Sequence, residues 1–175
     1  MDFAAIEARM KQGLKDAVLK AEPALAADPA GKINGPRDGI VHVAAAAIVK
    51  VCEFLRDDPE LRFDLCISVT AIDYPDDKNQ DTGGRFQLVY HLLSTLHNHR
   101  LVVKTDIPRN KPVIATVSPV YPAANWHERE TWDFFGIQFE SHPDLRRILC
   151  CEDWVGHPLR KDYVFPKEYH GISAE

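Results

Sequence analysis

No stretch of this chain is both long and apolar enough to cross a bilayer: the longest uninterrupted apolar run, Val43 to Val49, falls well short of the roughly 20 residues a spanning helix needs. Neither GxGxxG nor GxxxxGK followed by Ser or Thr occurs, so nucleotide binding through a glycine-rich phosphate cradle has no support. Cysteine is scarce, and Cys52, Cys66, Cys150 and Cys151 are spaced neither as a CxxC metal knuckle nor as a thioredoxin-like pair. Cys150 and Cys151 are the only cysteines close together in sequence, and an iron-sulfur cluster usually takes four thiolates, so no electron carrier is expected in this chain. The beginning, MDFAAIEARMKQ, carries acids early and has no apolar signal core, so a cytosolic, thiol-reducing location is expected. A basic excess is missing too: 21 Lys and Arg stand against 26 Asp and Glu, for a net charge of -5 and a pI near 5.9. Phosphate backbones call for a basic surface, which excludes nucleic acid as the expected partner.

What is present reads as an ordinary globular domain. The length of 175 residues fits one core with appendages, and 45% hydrophobic with 27% charged residues argues against a disordered or fibrous chain. Cys52 falls in an apolar helical pattern and Cys66 in a strand pattern, where cysteine acts as a small core hydrophobe. Cys150 and Cys151 are adjacent, and neighbours in extended chain point to opposite faces, which strains joint metal chelation.

Ile6, Met10, Leu14, Val18 and Leu19 recur at helical spacing and predict one amphipathic helix from Phe3 to about Ala27. Pro23, Pro29, Gly31, Gly35 and Pro36 then predict a loop or hinge, followed by a short strand at Gly39 to His42. Ala44, Ala47, Ile48, Val51 and Leu55 predict a second helix from Val43, closed by Asp57, Asp58 and Pro59. The period then changes to two, with Leu65, Ile67, Val69 and Ala71 on one side of a strand and Cys66, Ser68, Thr70 and Ile72 on the other. The polar stretch Tyr74 to Gly84 is expected to be an exposed connection. Phe86 to Leu93 and Leu101 to Ile107, joined by Ser94 to Arg100, predict an antiparallel hairpin apolar on both faces and hence central. Val113 to Val117 predicts a last strand. Asn125, three residues before Glu128, has capping-box spacing, and Gly136 suits a left-handed helix end. The fold class is therefore α+β in two layers, helices on a mixed, largely antiparallel sheet. The expected organisation is a core over 1–136, with an N-terminal helix and loop over 1–42, and an extended irregular C-terminal tail over 137–175.

Two chemistries are weighed on the residues alone. His97 and His99 share one side of an extended segment, yet a closed structural metal site would need four ligands. His142, Asp144 and His157 resemble an acid-base set, but no nucleophile with an orienting partner stands near them in sequence. The strongest signal is the charged run Glu128-Arg129-Glu130-Thr131-Trp132-Asp133, in which Arg129 and Asp133 fall on one helical face. Beyond it, His142 to Arg147 and Gly156 to Tyr163 alternate arginine, aspartate and proline in an irregular segment. Arginine pairs bidentately with carboxylates and proline lowers the entropy lost on ordering, so these residues suit a docking arm.

AANWHERETWDFFGIQFESHPDLRRIL (Ala123 to Leu149) followed by GHPLRKDY (Gly156 to Tyr163) resembles the C subunit family of proton-pumping NADH:quinone oxidoreductase, respiratory complex I. The stretches VCEFLRDDPELRFDLCISVTAIDYP, RFQLVYHLLS and NHRLVVKTDIP extend the likeness upstream to about Val43. The resemblance implies a non-catalytic subunit of the peripheral arm, on the cytoplasmic face of the bacterial inner membrane. It implies docking on a separate quinone-site polypeptide and its neighbours, and no flavin, iron-sulfur cluster or quinone of the chain's own. Under it, Glu128, Arg129, Glu130, Asp133, His142, Asp144, Arg146, Arg147, His157, Arg160, Lys161 and Asp162 make internal ion pairs and the partner contact. The stretch PLRKDYVFPKEYHGI is also similar to related subunits of ferredoxin-oxidising photosynthetic-type complexes and membrane-bound hydrogenases, which the motifs do not separate.

Overall fold

The computed structural model describes residues 2–24, 38–75 and 84–173. The loop expected around Pro29 to Pro36 and most of the Tyr74 to Gly84 connection lie outside the described residues. Helix α1 (Phe3–Leu14) is capped by Asp2, whose Oδ1 accepts the Ala5 N–H at 2.9 Å. It buries Ile6, Met10 and Leu14, spaced at one face of a helix. The helix stops well before Ala27. Lys15 takes φ 39°, a short 3-10 turn follows, and Val18 and Leu19 enter strand β1 (Val18–Glu22). The competing force is sheet pairing: β1 runs antiparallel to β2 (Gly39–Val43), which satisfies the backbone of a segment that helical spacing alone would claim.

The predicted second helix also starts later than Val43. Strand β2 takes Val43, a 3-10 turn spans Ala45–Ala47, and α2 (Ile48–Asp57) buries Ile48, Val51, Cys52 and Leu55. Strands β3 (Leu65–Tyr74), β4 (Arg85–Ser94) and β5 (His99–Pro108) complete a five-stranded sheet ordered β1-β2-β5-β4-β3. Within this sheet, among the described residues, only β2 and β5 pair in parallel, so the sheet is mixed and largely antiparallel, and both strands of the predicted hairpin are internal. The alternation expected along β3 breaks at a bulge between Cys66 and Ser68. Cys66, Val69, Ala71 and Asp73 therefore face inward while Leu65, Ile67 and Ile72 face out.

After β6 (Val113–Ala115), the turn at Val117 to Tyr121 leads into α3 (Ala124–Phe135), and β7 (Gln138–Glu140) pairs in parallel with β6. The core runs on past Gly136, since Ile137 and Phe139 are buried in it. Tyr121 pins this connection to α2 by donating its hydroxyl to the carbonyls of Phe63 and Cys52, at 2.9 and 3.3 Å. The remaining tail is irregular up to the small hairpin β8 (Glu168–Tyr169) and β9 (Ile172–Ser173), whose turn residues His170 and Gly171 both have positive φ.

Candidate functional site: the seam between α3 and the C-terminal strap

The capping box expected between Asn125 and Glu128 does not form. Ala123 is the N-cap residue and makes no side-chain cap bond; Asn125 lies within the helix. Glu128 turns inward instead, where it is sealed from solvent and accepts the Val117 N–H at 2.8 Å and a hydrogen bond from the Thr116 hydroxyl. Thr116 in turn accepts the Ser118 N–H at 3.1 Å. Burial pushes the Glu128 carboxyl up to about 7, against the pull of those two donors.

His142 lies beside it, its Nε2 at 3.1 Å from the Asn125 carbonyl and 3.8 Å from Glu128. Its Nδ1 accepts the Asp144 N–H at 3.1 Å and so holds a lone pair, which leaves the proton on Nε2, facing two oxygens. The ring is therefore the neutral Nε2–H tautomer, and it gives Glu128 no cationic partner.

Asp133 has the opposite environment. Its Oδ2 accepts the N–H groups of Ile148, Leu149 and Cys150 at 3.1, 2.9 and 3.0 Å, and its Oδ1 meets Arg147 Nη1 at 2.6 Å. Burial pulls this carboxyl up, but the amide bonds and Arg147 outweigh it and hold it down at about 2. The other Arg147 nitrogen donates to the carbonyls of Trp154 and Gly156 at 2.8 and 2.9 Å. One carboxylate and one guanidinium thus fold residues 147–156 onto the helix.

The same segment closes the helix end. An α-helix leaves its last four carbonyls without intrahelical donors. In α3, Gly136 N–H reaches Trp132 O at 2.8 Å, His157 Nδ1 reaches Asp133 O at 2.9 Å, Leu159 N–H reaches Phe134 O at 3.2 Å, and Arg160 Nε reaches Phe135 O at 2.6 Å. Gly136 has φ 72°, as its spacing predicted, and it leaves room: a Cβ there would lie 2.5 Å from the His157 ring. A second anchor lies at the end of β3, where buried Asp73 accepts Arg109 Nε at 2.9 Å and the Lys161 N–H at 2.8 Å. Arg109 also bonds Asp162, and both Arg109 and Arg160 stand over the Phe86 ring.

The sequence-selected residues divide clearly. Arg129 and Asp133 share a helix but not a partner, because Asp133 takes Arg147 while Arg129 lies 3.6 Å from Asp144 and donates to the Arg146 carbonyl at 3.3 Å. Arg146 and Asp144 pair at 2.9 Å on the surface. Glu130 is exposed and has no ion pair among the described residues. His142 and His157 do not meet as an acid-base pair. They bind carbonyls of residues 125 and 133, eight residues apart and hence about 12 Å along the helix axis. His97 and His99 engage the carbonyls of Pro59 and Leu61 at 3.2 and 2.8 Å, and the described residues hold no group of three or more candidate metal ligands. Sequence reasoning missed Asp73 and Arg109. The available signal was the inward phase of Asp73 with Val69 and Ala71, since a buried carboxylate requires a partner.

These features define a small α+β domain whose C-terminal strap is clamped to one helix by buried charge and carbonyl capping. The chain belongs to the family described as "Respiratory-chain NADH dehydrogenase, 30 Kd subunit", whose sequence model matches residues 41–169. The NADH-quinone oxidoreductase C subunit of Mycolicibacterium gilvum is 50% identical over 129 residues, 72% of this chain and 55% of that protein. The corresponding C subunit of Nocardioides sp. is 47% identical over 133 residues, 74% of this chain and 52% of the relative. The chain thus spans about half the length of these relatives. Among solved structures, a chain of an archaeal membrane-bound sulfane sulfur reductase superposes with TM-score 0.68 at 29% identity, covering 92% of this chain and 85% of that one. The trypsin-resistant fragment (1–134) of Nqo5 superposes with TM-score 0.54 at 25% identity, covering 81% of this chain and 97% of the fragment.

Proposed function

We propose that the chain is a non-catalytic scaffold subunit of the peripheral arm of a proton-translocating NADH:quinone oxidoreductase, and that it docks on the quinone-site subunit through its C-terminal strap. On this reading flavin, iron-sulfur clusters and quinone belong to partner subunits, and the chain reaches the cytoplasmic face of the bacterial inner membrane only through the complex. Among the described residues, no helix is long and apolar enough to cross a membrane.

The supporting observation is the direction in which the strap's side chains point. Arg147, His157 and Arg160 turn inward to cap and pair with α3, while Val155, Val164 and Phe165 turn outward at 85%, 84% and 62% exposure. A strap tied down from its inner side, with apolar side chains turned outward, is the pattern of a surface meant to be covered. The test is co-purification of the tagged chain from gently solubilised membranes of its host. Recovery with the quinone-site subunit and NADH-oxidising subunits is expected, and recovery as a lone monomer overturns the proposal.

A second reading places the same scaffold in a sister respiratory complex with another electron donor or acceptor. It is favoured by the more extensive superposition on the sulfane sulfur reductase chain. The same purification separates the two, through the identity of the redox subunits recovered.

A further inference from the structure

Of the acidic residues in the Glu128 to Asp133 run, two are sealed inside with donors of their own, and Glu130 stands apart. It is exposed, and among the described residues neither it nor the ring of His127 has a hydrogen-bond or ion-pair partner. Both line a cleft of about 280 Å³ in the seam between α3 and β3. His127, Glu130 and Phe134 form one stripe of the helix at three- and four-residue spacing, facing Ser68 and Thr70 of β3, with Leu159 of the strap closing one side. An apolar cavity of about 150 Å³ already holds a benzene, so this cleft has room for the end of a long side chain.

We propose that this cleft receives an arginine of the partner polypeptide, its guanidinium paired with Glu130 and laid against Phe134 and the His127 ring. Three properties fit that occupant. The cleft has a single unpaired carboxylate, and among its mixed polar and apolar walls the Phe134 and His127 rings offer planar surfaces on which a planar, weakly hydrated cation stacks. It is also continuous with the strap: Leu159 belongs to both, half exposed at 50%, so a partner covering Phe165 and Val164 is positioned to reach the cleft as well. The inference rests on the docking proposal in requiring a partner polypeptide, and it adds a specific ionic contact away from the strap's apolar ridge.

Carboxyl footprinting with a carbodiimide and glycine ethyl ester tests it, on the isolated full chain and on the chain within the purified complex. Glu130 and the exposed strap residue Glu152 are both expected to be labelled in the free chain and protected in the complex. Glu130→Gln is expected to weaken retention of the chain about tenfold or more in moderate salt, and Glu130→Lys further, because a desolvated partner charge loses its counter-ion. Both variants should unfold at the wild-type temperature. Labelling of Glu130 in the complex at the free-chain level, with Glu152 protected, overturns the cleft contact and leaves strap docking standing. Labelling of both removes the docking proposal as well. Protection of Glu130 together with wild-type retention of Glu130→Lys shows a contact that is not an arginine pair, and also overturns the inference.

Discussion

The Nε2 atom of His142 lies 3.8 Å from the Glu128 carboxylate, with both side chains fully sealed from solvent, yet the pair is not an ion pair. The hydrogen bond from the Asp144 amide to Nδ1 fixes the ring as neutral, so Glu128 is buried without a cation. Its surroundings are acidic or neutral as well: Cys52 on α2, Cys66 on β3 and Tyr90 on β4 are each raised by its negative charge, after the larger effect of burial.

Glu128 therefore makes stability depend on pH. Its carboxyl titrates near 7 in the folded chain against an ordinary 4.5, so the folded state binds the extra proton between those values. Its contribution is fully present below about 4.5 and is lost as pH rises through about 7, on the order of 3 kcal/mol in all. Thermal unfolding followed from pH 5 to 8.5 should show a falling Tm that Glu128→Gln flattens. An unchanged slope in that variant would show that another group carries the effect.

Asp133 carries the opposite sign. Held at about 2, its contribution is present above the ordinary carboxylate value of 3.8 and is lost as pH falls through the folded value. Asp133→Ala strands three amides and the Arg147 guanidinium, and is expected to cost about 3–5 kcal/mol, as other broken buried pairs do. That corresponds to a Tm drop of about 6–20 °C in a chain of this size. Hydrogen exchange at the amides of Ile148, Leu149 and Cys150 should lose its protection in the variant ahead of the sheet amides.

At Gly136, alanine adds both a left-handed backbone penalty of about 1–2 kcal/mol and a Cβ that collides with the His157 ring. Gly136→Ala is expected to free the strap locally while the five-stranded sheet stays intact. Limited trypsin digestion should then cut at Arg146, Arg147 or Arg160 much faster than in the wild type, with far-UV circular dichroism nearly unchanged.

Arg109→Lys separates the two anchors of the strap. Arg109 uses Nε on Asp73 and Nη2 on Asp162, two donors in one rigid fork, which the compact ammonium on lysine's flexible stem does not reproduce. The expected cost is about 1–3 kcal/mol. It should be read out most directly by faster exchange of the Lys161 amide, which shares Asp73 as its acceptor.

Where two local signals agreed, the sequence was a reliable guide. The β4–β5 hairpin alternates and is apolar on both faces, and it is central; Gly136 ends α3 with the conformation its type favours. Long-range pairing decided the cases where one signal stood alone. Val18 and Leu19 fit a helix until β2 offers hydrogen bonds, and Glu128 fits a capping box until the Val117 amide offers a buried donor. The strap's charged residues were visible as candidates, but their partners were not. Asp133 shares a helical face with Arg129 at four-residue spacing, yet it binds a guanidinium and three amides 14 to 17 residues downstream, a distance over which no spacing rule operates.

The capping of α3 also has a consequence in time. Arg160 closes the carbonyl of Phe135 from 25 residues further along the chain, and Leu159 and His157 act over similar lengths. At about 5–20 residues per second, a ribosome needs roughly 1–5 s to add the residues that finish this helix after its last turn has been made. During that interval three carbonyls and the Asp133 carboxylate stand open, so the nascent domain holds a half-built cluster of acceptor oxygens that its own later sequence fills. A chaperone or a partner polypeptide arriving early would meet a different surface from the one the finished fold presents.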